Sequence, residues 1–206
     1  MSSFNRQVPL QCDAAQGSIR HATGARLAAI PAEFLLALHL SLFERFADNS
    51  QDILYRSGYE QGLQDMVRLN AEMRARYGGE AFDLWQMDAK FILESWWQPL
   101  AWAGWGNCGF DLTSAARGLV VVEFPHSPIA AALGRTEHPI CHFFAGLFAG
   151  ALSFYDRSER HATEIECRAA GGAKCRFVVA PGGMVDSAEG WRQQGATADE
   201  IVRRLR

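Results

Sequence analysis

Three of the chain's five cysteines lie in one stretch, Cys141 to Cys175, and the way this stretch can fold limits what the rest can do. Residues Ile140 to Phe154 are apolar almost all round. At about 15 residues the run is too short to span a bilayer and fits a buried core helix. Charged residues from Asp156 to Arg160 end it. Strand-like segments follow at 161–169 and 175–180, and Gly171-Gly172 between them predicts a hairpin. The hairpin sets Cys167 near Cys175, and the end of the preceding helix is placed to bring Cys141 beside them. Three soft ligands from one helix and one hairpin suit zinc, which takes four in a tetrahedron.

The fourth ligand must come from another residue, and Glu164, Glu166, His161 and His142 are the candidates. Glu164 and Cys167 are three apart, so a straight strand points them to opposite faces. They converge only where the strand is bent, bulged or just beginning, and geometry leaves the choice open. The spacing is neither C-x-x-C nor a local knuckle. Buried thiols also serve as plain core filling, so the residues by themselves admit both readings.

The stretch resembles the 4-vinyl reductase domain family, which includes the aromatic-sensing domains of bacterial enhancer-binding activators. The likeness is carried by Cys141-His142 with Gly146 and Gly150, by Glu164-Ile165-Glu166-Cys167, and by Cys175 after a gap of seven residues. It is specific over about residues 117–180 and diffuse before them. Carried over residue by residue, the resemblance implies a structural zinc on Cys141, Glu164, Cys167 and Cys175. It also implies a fold like that of trafficking-complex subunits, and pairing as a homodimer.

A chain of 206 residues with 49% hydrophobic content can bury one sizeable core. The formal net charge of −3 argues against a phosphate-binding surface, so no nucleic-acid partner is expected. No basic segment precedes an apolar stretch and nothing reaches transmembrane length, so neither a signal peptide nor a membrane association is expected. An odd number of cysteines without a secretion signal points to a reducing cytoplasm.

Along the chain, residues 1–24 read as a polar N-terminal arm with at most one short strand. Pro31 starts a helix in which Leu35, Leu38, Leu42 and Phe46 repeat at helical spacing. Asn49 or Ser50 can cap a second helix, with Tyr59, Leu63, Met66, Met73 and Tyr77 on its buried face. Gly58 and Gly62 in it would let another helix approach closely. A third helix is predicted from Ala81 to Gln98, ended by Pro99. Residues 106–112 read weakly as a strand and 118–124 strongly. Ser127 and Pro128 open a short helix, Pro181-Gly182-Gly183 is a loop, and Thr197 with Glu200 forms a capping box for a last helix. The class is α+β, an antiparallel sheet with helices packed on one face. The divisions are the arm at 1–24, a ligand-binding domain at 25–181 and a C-terminal helical tail at 182–206.

No nucleophile elbow, H-E-x-x-H helix, phosphate loop or dinucleotide fingerprint occurs. Histidines 21, 39, 126, 138, 142 and 161 are scattered. Zinc with four protein ligands has no open position, so the metal would be structural and no catalytic residue is expected. Five of the six tryptophans fall between Trp85 and Trp105, enough rings for a thick core or for the walls of a cavity. The phenol-sensing relatives end a strand with a motif similar to E-F-x-W, whose tryptophan faces the ligand hydroxyl. Here the run is Glu123-Phe124-Pro125-His126, and their upstream histidine has Gln98 as its nearest counterpart.

These likenesses place an apolar pocket for a small hydrophobic or aromatic ligand among Trp96, Trp97, Gln98, Trp102, Val121, Phe124, His126, Phe144 and Phe148. The function expected is a stand-alone, zinc-stabilised binding or sensory domain that signals through a partner protein. The alternative is a tetrapyrrole (bacteriochlorophyll) 4-vinyl reductase or a chlorin carrier.

Overall fold

Every residue of the run Val120–Phe124 is buried except Glu123, and such a strand needs cover on both faces. The computed structural model, which describes residues 10–21, 26–47 and 49–206, supplies that cover. In chain order it has β1 (Leu10–Asp13), β2 (Ser18–His21), β3 (Arg26–Leu27), α1 (Ala32–Phe46), α2 (Asn49–Tyr77) and α3 (Ala89–Trp102). There follow β4 (Gly109–Asp111), β5 (Val120–Phe124), α4 (Pro128–Leu133), α5 (His142–Asp156), β6 (His161–Glu166), β7 (Cys175–Ala180), α6 (Gly182–Gln193) and α7 (Ala198–Leu205). The main sheet has the order β4-β5-β7-β6 and is antiparallel throughout, with Phe124 opposite Cys175 and Glu164 opposite Phe177. This is the expected α+β class.

Alternation along β5 sorts its side chains. Val120, Val122 and Phe124 join Phe177 and Val179 in a core shared with α2, α3 and α5. Leu119 and Val121 join Ile165, Val178 and Ala180 in a second core closed by Val185, Ala188, Ile201, Val202 and Leu205 of α6 and α7. The stretch 182–206, read from sequence as a tail, is thus what covers the second face of the sheet. Its first helix begins at Gly182, inside the segment expected to be a loop. The glycines at 182, 183 and 190 are poor helix formers, and the helix owes its existence to packing against the sheet.

α2 and α5 lie backbone to backbone. A β-carbon on Gly58 would fall 2.0 Å from the carbonyl oxygen of Phe143, and one on Gly62 would fall 2.2 Å from that of Leu147. The contact is reciprocal, because β-carbons on Gly146 and Gly150 would fall 1.9 and 2.0 Å from the carbonyl oxygens of Tyr55 and Tyr59. This is the close approach expected of Gly58 and Gly62.

Other boundaries differ from expectation. α3 starts at Ala89, where the Asp88 side chain accepts from the Phe91 amide, and residues 79–86 form short 3-10 turns instead. Pro99 does not end it: the helix runs on to Trp102, with the Ala103 amide donating to the Pro99 carbonyl at 3.0 Å. A mid-helix proline costs about 3 kcal/mol, and burial of Ile92, Leu93, Trp96 and Trp97 on the same helix offsets it. Tyr77 ends α2 exposed, not buried. On α1 only His39 is buried, while Leu38 and Phe46 stay in solvent. The described part of the arm holds two strands instead of one, turned at Gly17, where Asp13 accepts from the Gln16 amide. Residues 1–9 and 22–24 of that arm lie outside the described residues.

Candidate functional site

The four expected metal ligands converge. One ligand atom each from Cys141, Glu164, Cys167 and Cys175 lies within 4.8 Å of the others, and all four residues are buried. Cys141 caps the start of α5, Cys175 opens β7 beside Phe124, and β6 brings the other two. A bulge in β6 settles the geometry that spacing left open. Glu164 pairs with Phe177 and Glu166 with Arg176, so Ile165 is an extra residue in the ladder. Ile165 turns into the second core, and the following residues shift phase. Glu164 and Cys167 then share one face. Glu166 is left to bond the Ala173 amide and pair with Arg176, His161 sits at the strand's start beside Glu159, and His142 points its Nε2 into an unpartnered buried spot.

The donor set fits a tetrahedral cation. With bonds of about 2.3 Å, tetrahedral geometry sets sulfurs about 3.8 Å apart, and Cys141 Sγ and Cys175 Sγ are 3.8 Å apart. The Cys141 amide holds Glu164 Oε2 at 3.0 Å, while Glu164 Oε1 is buried with no partner. An orphaned carboxylate oxygen aimed into three thiols calls for a cation. The electrostatics agree. Burial, with the Cys167 charge beside it, pushes the Glu164 carboxyl up to about 8. Hydrogen bonds from Cys141 and Cys175 hold Cys167 far below a free thiol, and giving that bond to Cys167 pushes Cys141 up. Four adjacent buried groups cannot all ionise without a positive charge among them. Outside the ring, the Arg168 amide reaches Cys175 Sγ at 3.5 Å and Ser127 Oγ lies 3.3 Å from Cys141 Sγ.

The expected pocket needs correction. The space between the sheet and α3 is filled by rings: Phe124 meets Phe144 edge-on at 4.7 Å, and Trp97 meets Phe124 at 5.5 Å and Phe148 at 5.4 Å. Phe124, Phe144 and Phe148 are fully buried core. Val121 points into the second core on the other side of the sheet. Trp96 packs edge-on against Trp97 and borders a different cavity beside α2. The remaining residues do meet at a cleft, of about 930 Å³, at the margin of that aromatic core. Trp97, Gln98, Trp102, Asn107, Phe110 and His126 line it. The Trp97 indole is fixed there by donation to the Gly106 carbonyl at 3.1 Å. His126 is exposed and stands at the cleft wall.

Sequence reading missed Glu94, Asn107, Ser127 and Arg168, which also border the cleft. Helical periodicity from Gln98 would have given Glu94 one turn back, and adjacency to Cys167 would have flagged Arg168. Nothing local marks Asn107. Arg168 donates to the Pro125 carbonyl at 3.3 Å, tying the wall bearing His126 to the cysteine hairpin.

The family model of the 4-vinyl reductase domain matches residues 120–181, so the segment from β5 to the end of β7 is a domain of that family. Among solved structures, the phenol-responsive sensory domain of the transcription activator PoxR, with phenol, aligns at a TM-score of 0.66 and 18% identity over 88% of this chain and 89% of that one. A vinyl-4-reductase family protein from Methanocaldococcus jannaschii aligns at 0.50 and 20% identity over 74% and 82%. A trafficking protein particle complex subunit 3 from Naegleria fowleri, covalently bound to palmitic acid, aligns at 0.50 and 15% identity over 72% and 91%. At these identities the likeness is one of fold. No curated protein matches. Among the described residues, no helix is long and apolar enough to cross a membrane.

Proposed function

We propose that this chain is a sensory domain that takes a small hydrophobic or aromatic molecule in the cleft between Gln98 and His126 and is held in shape by one zinc ion. The observation that carries the reading is the contact between cleft and cysteine cluster. Ser127 borders the cleft, its hydroxyl lies 3.3 Å from Cys141 Sγ, and the same hydroxyl caps α4 by accepting from the Ala130 amide at 3.2 Å. A ligand pressing on this wall therefore meets a segment pinned to the cluster. Zinc on Cys141, Glu164, Cys167 and Cys175 would supply structural charge neutralisation, with no position left for a substrate. Thiol ligands suit a reducing compartment such as the cytoplasm.

The cleft complements an amphipathic aromatic. Trp97, Trp102 and Phe110 offer ring faces, while Gln98, Asn107 and His126 offer hydrogen bonds. The homodimer implied by the family resemblance is part of the proposal, and the apolar side chains of Phe34, Leu38 and Phe46 exposed on α1 provide surface for it. Light scattering of the purified protein checks the dimer.

Titration of the zinc-loaded chain with phenol and with substituted phenols tests the cleft. Tryptophan fluorescence should be quenched, and His126→Ala or Gln98→Ala should weaken a hydroxylated ligand by about 1–3 kcal/mol by leaving its hydroxyl unpaired. Unchanged affinity in both folded variants would move binding out of the cleft. Chlorin absorbance in the purified protein, or reduction of a vinyl chlorin, would shift the reading to tetrapyrrole metabolism.

A further inference from the structure

On the far side of α3 from the cleft lies a second cavity, of about 370 Å³, between α2, α3 and β3. Leu69, Pro99, Leu100 and Trp105 give it an apolar lining, and Arg26, Arg68 and Glu72 are also at its wall. Two polar groups bordering it are incompletely bonded. Asp65 uses one carboxylate oxygen fully: Oδ1 accepts from Gln61 Nε2 at 2.7 Å and from the Arg68 guanidinium. Its Oδ2 is buried with no partner. Trp96 is only 3% exposed, and its indole nitrogen is likewise buried and unbonded. The indole eases the carboxylate's charge without reaching hydrogen-bond geometry.

Buried polar atoms are nearly always satisfied, so two orphans at one cavity ask for a common partner. The carboxylate oxygen can only accept and the indole can only donate. An anion would face Asp65, and an organic cation would leave the indole unserved and face Arg26 and Arg68. A hydroxyl is the smallest group that both gives and takes a hydrogen bond, and the remaining walls suit an apolar body. We propose that this cavity is a second binding site, for a small neutral hydroxylated molecule whose hydroxyl donates to Asp65 Oδ2 and accepts from Trp96 Nε1. Burial raises the Asp65 carboxyl above its ordinary range, with Arg68 opposing the rise, which is consistent with an acceptor kept short of donors. The site is independent of the cleft.

Phenol and toluene, nearly equal in size and differing by the hydroxyl, are the probes, used on the full metal-loaded chain. Phenol should shift the indole N–H resonance of Trp96, and toluene should shift it little. The shift should persist in the Gln98→Ala/His126→Ala protein, which separates this site from the cleft. Asp65→Leu and Trp96→Phe, with folding checked by near-ultraviolet circular dichroism, should each weaken phenol at this site by roughly tenfold or more. If a variant fails to fold, the phenol–toluene comparison on the native chain decides. Toluene moving the resonance as far as phenol, phenol failing to move it, or full phenol affinity in both folded variants would overturn the site. So would a high-resolution structure in which a water bridging Asp65 and Trp96 survives saturation with phenol.

Discussion

A β-carbon on Gly58 would stand 2.0 Å from the carbonyl oxygen of Phe143, so α2 and α5 approach more closely than any pair of alanines allows. The obstacle is backbone, not the movable end of a side chain. Gly58→Ala must therefore push the two helices apart and loosen the core that includes Phe144, Leu147 and Met66. Overpacking costs about 1–3 kcal/mol, and contact with backbone puts this case at the upper end or beyond. Gly146→Ala should cost about as much by the same contact seen from the other helix. Urea denaturation of both variants is the measurement. As a contrast, Gly190 lies within α6 with nothing within 4 Å of its added carbon, and Gly190→Ala should stabilise by about 0.5–1 kcal/mol.

Much of this was legible in the sequence, and the misses have physical causes. The apolar run before Asp156, the strand ending at Phe124, the hairpin and the Thr197–Glu200 box were readable because each is local pattern or capping chemistry. The metal set was readable only by resemblance, since the Ile165 bulge that puts Glu164 and Cys167 on one face leaves no mark in spacing. α6 was invisible because glycine-rich sequence signals a loop and only the second face of the sheet makes it a helix. The pocket was misplaced for a related reason. Rings at helical and strand spacing say that aromatic surfaces meet, not whether they meet each other or a ligand, and Phe124, Phe144 and Phe148 meet each other.

Metal loss should follow removal of any cluster ligand. Cys167→Ser and Cys175→Ser should lower bound zinc, measured by plasma mass spectrometry, to a small fraction of one per chain. Glu164→Gln should weaken it less, because the amide keeps an acceptor oxygen while losing its charge. Chelation should also lower Tm. In small zinc peptides the ion supplies about 10–16 kcal/mol, and here the effect should be smaller because a large apolar core forms without it. Both serine variants keeping full zinc would refute the assignment.

Removal of residues 182–206 should abolish soluble expression instead of trimming a tail. Without α6 and α7, Leu119, Val121, Ile165 and Val178 lose their cover, and Ile201 and Leu205 lose their burial with them. Each large apolar side chain contributes about 1.5–3 kcal/mol when buried, and several together exceed the typical stability of a domain, about 5–15 kcal/mol. A monomeric truncation with an unchanged Tm would show the second core to be dispensable.

His39 should make the fold acid-sensitive above the carboxylate range. It is 2% exposed on α1, its Nδ1 bonds the Leu35 carbonyl at 2.8 Å, and its Nε2 is buried with no partner. The Nδ1 contact is a donation to a carbonyl, which leaves Nε2 as the unprotonated nitrogen. Protonation there would bury a cation with nothing to accept its hydrogen, and burial holds the pKa below the ordinary value, opposed only in part by the Leu35 bond. A base with a depressed folded pKa binds fewer protons folded than unfolded below about pH 6.5. Stability is thus complete above that pH and falls as pH drops through the unfolded value toward the folded one. The slope has a ceiling of about 1.4 kcal/mol per pH unit for one proton. His142, lowered by burial at the start of α5 and facing His39 and Glu189, adds to the slope in the same direction. Comparing His39→Phe with the native chain by urea denaturation at pH 7.5, 6.5 and 5.5, pH values chosen to bracket about 6.5, cancels the His142 share. The variant should lose less stability on acidification. Equal losses in the two proteins would mean that His39 stays neutral, or is charged at no cost, across that range.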